Sequence, residues 1–214
     1  MVDETHCFPR HQMVWVESST WEAVLQEHGA LDPGPLIRDW AANGWPLVVR
    51  SRTCEEQAHR LPAGIPVPPE HGKKRYAFRI DADFVIRSEE PPLVALAGSV
   101  APRSWQNSIS AVAELDSGTR CFGSLCWEYL TGLSYLTATS DLDLLWQVAS
   151  ESEADRLGRA IARIDSQSPA RIDGEFVAAS GAGIQWREWH SSAPHLMAKT
   201  PDGPRLLTRE QAFT

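Results

Sequence analysis

Phe122-Gly123-Ser124-Leu125-Cys126-Trp127-Glu128, followed by Ser140-Asp141-Leu142-Asp143-Leu144-Leu145-Trp146, is the stretch on which the reading of this chain turns. The first run reads as a tight turn entering a helix over 124–130, because Gly123 frees the backbone and Ser124 can cap the first turn. The second reads as a strand over 142–148. Residues two apart in a strand share a face, about 6.6 Å apart along the chain, so Asp141 and Asp143 present both carboxylates to one spot. Leu142, Leu144 and Trp146 then fill the opposite face.

Two carboxylates about 4 Å apart repel by roughly 4 kcal/mol at an effective dielectric of 20, so both stay ionised only with a cation between them. Magnesium suits this site, because it is a hard ion that binds one or two carboxylates and takes its other ligands from water and substrate phosphates. At Gly123-Ser124 the glycine lets a phosphate approach the backbone, and the serine hydroxyl and free helix N–H groups can hold its oxygens. The two halves together outline metal-assisted nucleotidyl transfer. A third carboxylate would complete a two-metal arrangement. Asp173 and Glu175, on one face of a strand expected over 171–177, are the candidates, with Asp173 the first choice; Asp173-Gly174 is alternatively a hairpin turn. Asp81-Ala82-Asp83 has the same spacing but no Gly-Ser turn and helix before it, and reads as surface or turn carboxylates.

Working outward, 214 residues at 43% hydrophobic content can bury one generous core or two small ones. A net charge of -8 argues against a broad nucleic-acid surface, which needs many Lys and Arg to neutralise phosphates. Any anionic ligand must meet a local basic cluster, and the candidates are Lys73-Lys74-Arg75, Arg187 and Lys199. No run of 18 apolar residues exists and the N-terminus has no signal-peptide texture, so the expectation is a cytoplasmic protein without a membrane partner. Cys7, Cys54, Cys121 and Cys126 lack zinc-site spacing and read as reduced thiols.

The polar, proline-containing Ser88-Glu89-Glu90-Pro91-Pro92 marks a boundary between a domain at 1–90, for substrate or partner binding, and a catalytic domain at 91–214. Before it, strands are expected over 13–16 and 47–49 and a helix over 35–43 closed by Gly44. The proline-rich run 61–69 reads as a connector or an edge, because each proline removes a ladder donor. After it, helices are expected over 105–115 and 152–165, and strands over 119–122, 183–186, 195–199 and 205–207. The fold class is α+β: a C-terminal mixed sheet with flanking helices and a smaller N-terminal α/β domain.

With those residues in view, the C-terminal half resembles the nucleotidyltransferase superfamily of the DNA polymerase beta type. More narrowly, residues 122–136, 140–145, 171–175 and 186–188 resemble the phosphoribosyl-dephospho-CoA transferases of malonate decarboxylase, the family of its holo-acyl-carrier-protein synthases. Arg10-His11, Pro46-Leu47-Val48-Val49-Arg50 and Gly72-Lys73-Lys74-Arg75 extend the resemblance through the N-terminal half. The resemblance implies transfer of the phosphoribosyl-dephospho-CoA group from triphosphoribosyl-dephospho-CoA to a serine of the acyl-carrier subunit, with release of pyrophosphate. It also implies roles: Asp141 and Asp143 hold magnesium on the triphosphate, Asp173 binds the ion near the incoming serine or acts as its base, and Gly123-Ser124 anchors the leaving phosphates. Two other readings share these residues: a nucleotidyltransferase that uses ATP or CTP, and a non-catalytic binding module on the same fold.

Overall fold

The computed structural model describes residues 8–28, 34–52, 60–72, 74–191 and 193–213. The chain forms two compact units, Met1–Glu90 and Pro91–Thr214. The N-terminal unit contains β1 (Met13–Val16), α1 (Ser18–Glu27), α2 (Gly34–Arg38), β2 (Leu47–Val49), β3 (Arg60–Pro66), β4 (Arg75–Asp81) and β5 (Val85–Glu89). Its five strands lie in the order β4-β3-β2-β1-β5. Every neighbouring pair is antiparallel, so the unit is α+β and not the α/β domain expected, since α1 and α2 connect antiparallel neighbours and make no parallel crossover. All four residues of β1 are buried. The expected helix over 35–43 stops at Arg38 and continues as turns to Gly44, whose φ of +70° is a conformation glycine adopts without strain.

The proline-rich run is where the expectation fails most clearly, for β3 is an interior strand, paired on both sides. The Val67 N–H donates to Lys74 O on the β4 side, and the Arg50 N–H donates to Pro62 O on the β2 side. Polar groups alternate sides along an antiparallel strand, so the even-numbered residues of β3 face β2. Only Gly64, opposite Val48, lies within the span of that short strand. Pro62 and Pro66 therefore fall where no donor is needed. The other aspartate pair is a turn, as expected: the Asp81 carboxylate accepts the Asp83 N–H at 3.3 Å.

The C-terminal unit contains α3 (Val94–Ala97), α4 (Gln106–Leu115), β6 (Arg120–Cys121), α5 (Gly123–Thr131), β7 (Leu142–Gln147), α6 (Glu151–Asp165), β8 (Ile172–Val177), β9 (Gly183–Gln185), α7 (Trp186–His190), β10 (His195–Thr200) and β11 (Gly203–Thr208). The six-stranded sheet runs β11-β10-β9-β8-β7-β6. Its one parallel pair is β7–β8, joined through α6. Ser150 caps α6 by accepting the Glu153 N–H at 3.3 Å, while Glu153 reaches back to the Ala149 N–H at 2.9 Å. Leu157, Ala160 and Ile161 bury the apolar stripe of the helix. The strand expected over 183–186 ends one residue early because Gln185 accepts the Glu188 N–H at 2.9 Å, and Trp186 opens α7.

The β7–β8 register sets Asp143 opposite Asp173 and Leu144 opposite Gly174. Asp173-Gly174 is thus strand, not a hairpin turn. At φ +152°, a β-carbon on Gly174 would overlap the Leu144 carbonyl oxygen and lie 2.8 Å from Trp146 Cζ3. Backbone occupies that space and cannot yield as a flexible side chain would. Gly174→Ala is expected to cost about 3 kcal/mol of stability by overpacking, read as a lower midpoint in equilibrium urea unfolding.

Candidate active site

The ladder that joins β6 to β7 carries the chain to the Gly-Ser turn. The Phe122 N–H donates to Asp143 O at 3.0 Å, which brings the start of α5 against the middle of the aspartate strand. Gly123 has φ +63°, and a β-carbon there would overlap Asp143 Oδ2. The carboxylate of Asp143 therefore lies against bare backbone at the N-terminus of α5, where the positive end of the helix dipole favours a negative charge. The helix starts one residue earlier than expected, so Ser124 sits inside the first turn and is not its cap. Phe122 is the cap residue, and no side chain caps this end.

Asp143 and Asp173 are both half-buried and share a face of neighbouring strands, which lie about 4.8 Å apart. Asp173 Oδ1 accepts the Gly174 N–H at 2.9 Å and the Gln185 side-chain amide at 2.7 Å. Asp141 lies just before β7, with its carboxylate 3.8 Å from the Arg171 guanidinium and 38% exposed. Thr137 and Ser140 close the turn that precedes it, the Thr137 N–H donating to Ser140 Oγ at 2.9 Å. Glu128, on α5, fixes the same connection by accepting the N–H groups of Tyr135 and Leu136 at 2.9 and 2.8 Å.

The other sequence candidates are placed differently. Glu175 is 2% exposed, and its carboxylate accepts a 2.8 Å hydrogen bond from Lys199 Nζ. An unpaired buried carboxylate would cost several kcal/mol, so Lys199 is its counter-ion. Arg187 stands 4.5 Å over the Trp186 ring and donates to Asp165 Oδ1 at 2.8 Å and to Ile172 O at 2.9 Å. Asp165 also accepts the Ile172 N–H, and the Trp186 indole donates to Ile172 O at 3.1 Å. Both polar groups of the residue before Asp173 are thereby held. Lys74 and Arg75, in the N-terminal unit, are exposed, and neither makes an ion pair among the described residues. Lys73 lies outside the described residues.

Gln185 and Asp165 were not among the sequence candidates. The spacing of Gln185 and Glu188 is the one signal that could have shown the start of α7 and so placed Gln185. Behind the Gly-Ser turn, Cys121 and Cys126 are buried free thiols. Their mutual hydrogen bond, and then burial, push the Cys126 thiol well above the usual range.

Asp143 against a glycine backbone and Asp173 with one oxygen held by two N–H donors fit a hard dication. Among the described residues no three His, Cys, Asp or Glu side chains converge as a ready-made metal set, so such an ion would complete its shell from water and a bound phosphate.

Comparison with known proteins covers both units. Residues 93–210 match the family described as phosphoribosyl-dephospho-CoA transferase MdcG, C-terminal domain, and residues 9–91 match its N-terminal domain. A phosphoribosyl-dephospho-CoA transferase of Bradyrhizobium diazoefficiens is 36% identical over 94% of this chain and 91% of its own. One from Xanthomonas campestris pv. campestris is 33% identical over 95% and 96%, and one from Pseudomonas putida is 31% identical over 78% and 80%. No solved structure matches the chain.

Two measurements test this geometry. Gly123→Ala, which forces the Asp143 carboxylate off the helix end, is expected to lower turnover at least about 100-fold while costing about 1–2 kcal/mol of stability. Cys121 and Cys126 are expected to resist iodoacetamide at pH 8 in the native protein and to react in urea, since only the thiolate is nucleophilic; peptide mass mapping reads the difference.

Proposed function

The chain belongs to the phosphoribosyl-dephospho-CoA transferase family, and from that premise we propose that it transfers the phosphoribosyl-dephospho-CoA group of triphosphoribosyl-dephospho-CoA to a serine of the acyl-carrier subunit of malonate decarboxylase. In this reaction the serine oxygen attacks the phosphorus nearest the ribose. The bond to the next phosphate breaks, pyrophosphate leaves, and the serine proton is lost to a base. Such transfer needs mainly positioning and charge neutralisation around an in-line attack.

The observation that carries the reading is the alignment of Asp143 with Asp173 on parallel strands, with the Gly123 backbone against Asp143. Asp143 and Asp173 would hold magnesium, with Asp141 reaching it from the turn before β7, although the three carboxylates do not converge on one point among the described residues; the ion would supply charge neutralisation on the triphosphate. Asp173 is favoured over Glu175 as the third carboxylate, because Glu175 is already neutralised by Lys199. Gly123, Ser124 and the free N–H groups of α5 face the leaving phosphates. Ser124 has no competing task, for its hydroxyl makes no hydrogen bond among the described residues.

The same arrangement, a Gly-Ser helix start followed by a strand with paired aspartates and a third on the parallel neighbour, supports a nucleotidyltransferase fold of the DNA polymerase beta type. Lys73, Lys74 and Arg75 belong to the reading as substrate-binding cations of the N-terminal unit, which would bind donor or carrier. Arg187 and Lys199 act chiefly by holding Ile172 and Glu175 in place. A cytoplasmic site of action is part of the same proposal.

The test is transfer itself. Incubated with the donor and the apo carrier subunit, the protein is expected to add the mass of the prosthetic group to the carrier, read by intact-protein mass spectrometry. The gain disappears with EDTA and returns with magnesium. Asp141→Asn and Asp143→Asn are each expected to reduce the rate at least about 1000-fold. Full transfer by either variant, or an equal rate with ATP or CTP as the donor, would overturn the assignment.

A further inference from the structure

Among the described residues, Gln185 is a side chain that touches both a candidate catalytic carboxylate and a helix end. Its Oε1 accepts the Glu188 N–H at 2.9 Å and its Nε2 donates to Asp173 Oδ1 at 2.7 Å. A carboxamide has a distinct acceptor end and donor end, so the first bond fixes the direction of the second. Glu188 in turn accepts the Met197 N–H at 2.9 Å, tying the first turn of α7 to β10. The arm that reaches Asp173 thus stands on a braced support. At Asp173 it meets an oxygen that already accepts the Gly174 N–H at 2.9 Å. Oδ1 is held by two donors in a fixed plane, and Oδ2 is the atom left to act.

We infer that Gln185 is a positioning residue for the transfer reaction, holding Asp173 through Oδ1 so that Oδ2 points at the reacting group or its ion. This deepens the proposed function and rests on its reading of Asp173. Charge makes the amide a better choice than glutamate: a carboxylate at this position would cap α7 equally well but would repel Asp173 where the amide binds it.

That asymmetry supplies the experiment, done on the full chain with donor and apo carrier. Gln185→Glu keeps the acceptor for the Glu188 N–H and removes the donor to Asp173. It is expected to lower kcat about 10- to 100-fold with KM for the donor unchanged, and to lower the melting temperature by about 2–4 °C. Combined with Asp173→Asn, the melting loss is expected to be smaller than the sum of the two single losses, because removing the Asp173 charge removes the repulsion, while turnover stays lost. Gln185→Ala, which removes donor and charge together, must show the same fall in kcat even where the glutamate variant folds poorly. Wild-type kcat in the alanine or glutamate variant, a loss confined to KM, or additive melting shifts in the double variant would each overturn the inference. Asp173→Asn separates the two levels: an inactive Asp173→Asn beside a fully active Gln185→Glu removes only the clamp, whereas a fully active Asp173→Asn removes the catalytic role of Asp173 and the clamp with it.

Discussion

At Gly174 a single hydrogen on Cα is all that stands between β8 and the Leu144 carbonyl of β7. The closeness of the two strands there sets everything around the carboxylates. It fixes the parallel register in which Asp143 faces Asp173, and side chains alternate faces along a strand, so a slip of one residue would turn Asp173 into the apolar layer beneath. The start of β8 is guarded against that slip. Asp165 takes the Ile172 N–H, while Trp186 and Arg187 both donate to its carbonyl. The end of one helix and the start of another grip the residue next to the aspartate, so its position is set by backbone atoms.

Electrostatics in the same region follow from partners of different kinds. Asp143 sits at the positive end of α5, Glu175 is matched by Lys199, and among the described residues Asp141 has only a long, exposed contact with Arg171. Surface pairs of that last kind contribute about 0–1 kcal/mol, so Asp141 is the carboxylate least bound to its surroundings. The net charge of the chain is -8, yet each buried acid in this sheet has a local donor or cation. Charge neutralisation here is a matter of placement and not of composition.

What the sequence shows of this depends on distance along the chain. The strand that carries Asp143 is legible because Leu142, Leu144 and Trp146 alternate along it as a buried face; Asp141 lies just before its start. The α6 helix is legible from its apolar stripe and from Ser150 with Glu153 at the start. The partner of β7 is not, because register arises from the Gly174 contact across the α6 crossover. Pro62 and Pro66 mislead for a related reason: whether a proline costs a ladder bond depends on how far the neighbouring strand extends, and β2 is only three residues long. Ser124 is misplaced by a single residue at a helix start. Gln185 is invisible as a site residue because its meaning depends on the five-residue α7, too short to leave a periodic signal. Arg187 and Lys199 stand out as cations in the sequence, but only their contacts reveal that they are engaged with Asp165 and Glu175.

The prolines of β3 have one more effect. An isolated sheet strand with unmet N–H groups is a template on which a segment of another chain can add. Where β2 ends, β3 would present such groups on the flank it turns toward that strand. Pro62 and Pro66 present none, and the Pro62 carbonyl already accepts the Arg50 N–H beyond the end of β2. β2 can therefore be only three residues long without stranding a β3 N–H at either proline position.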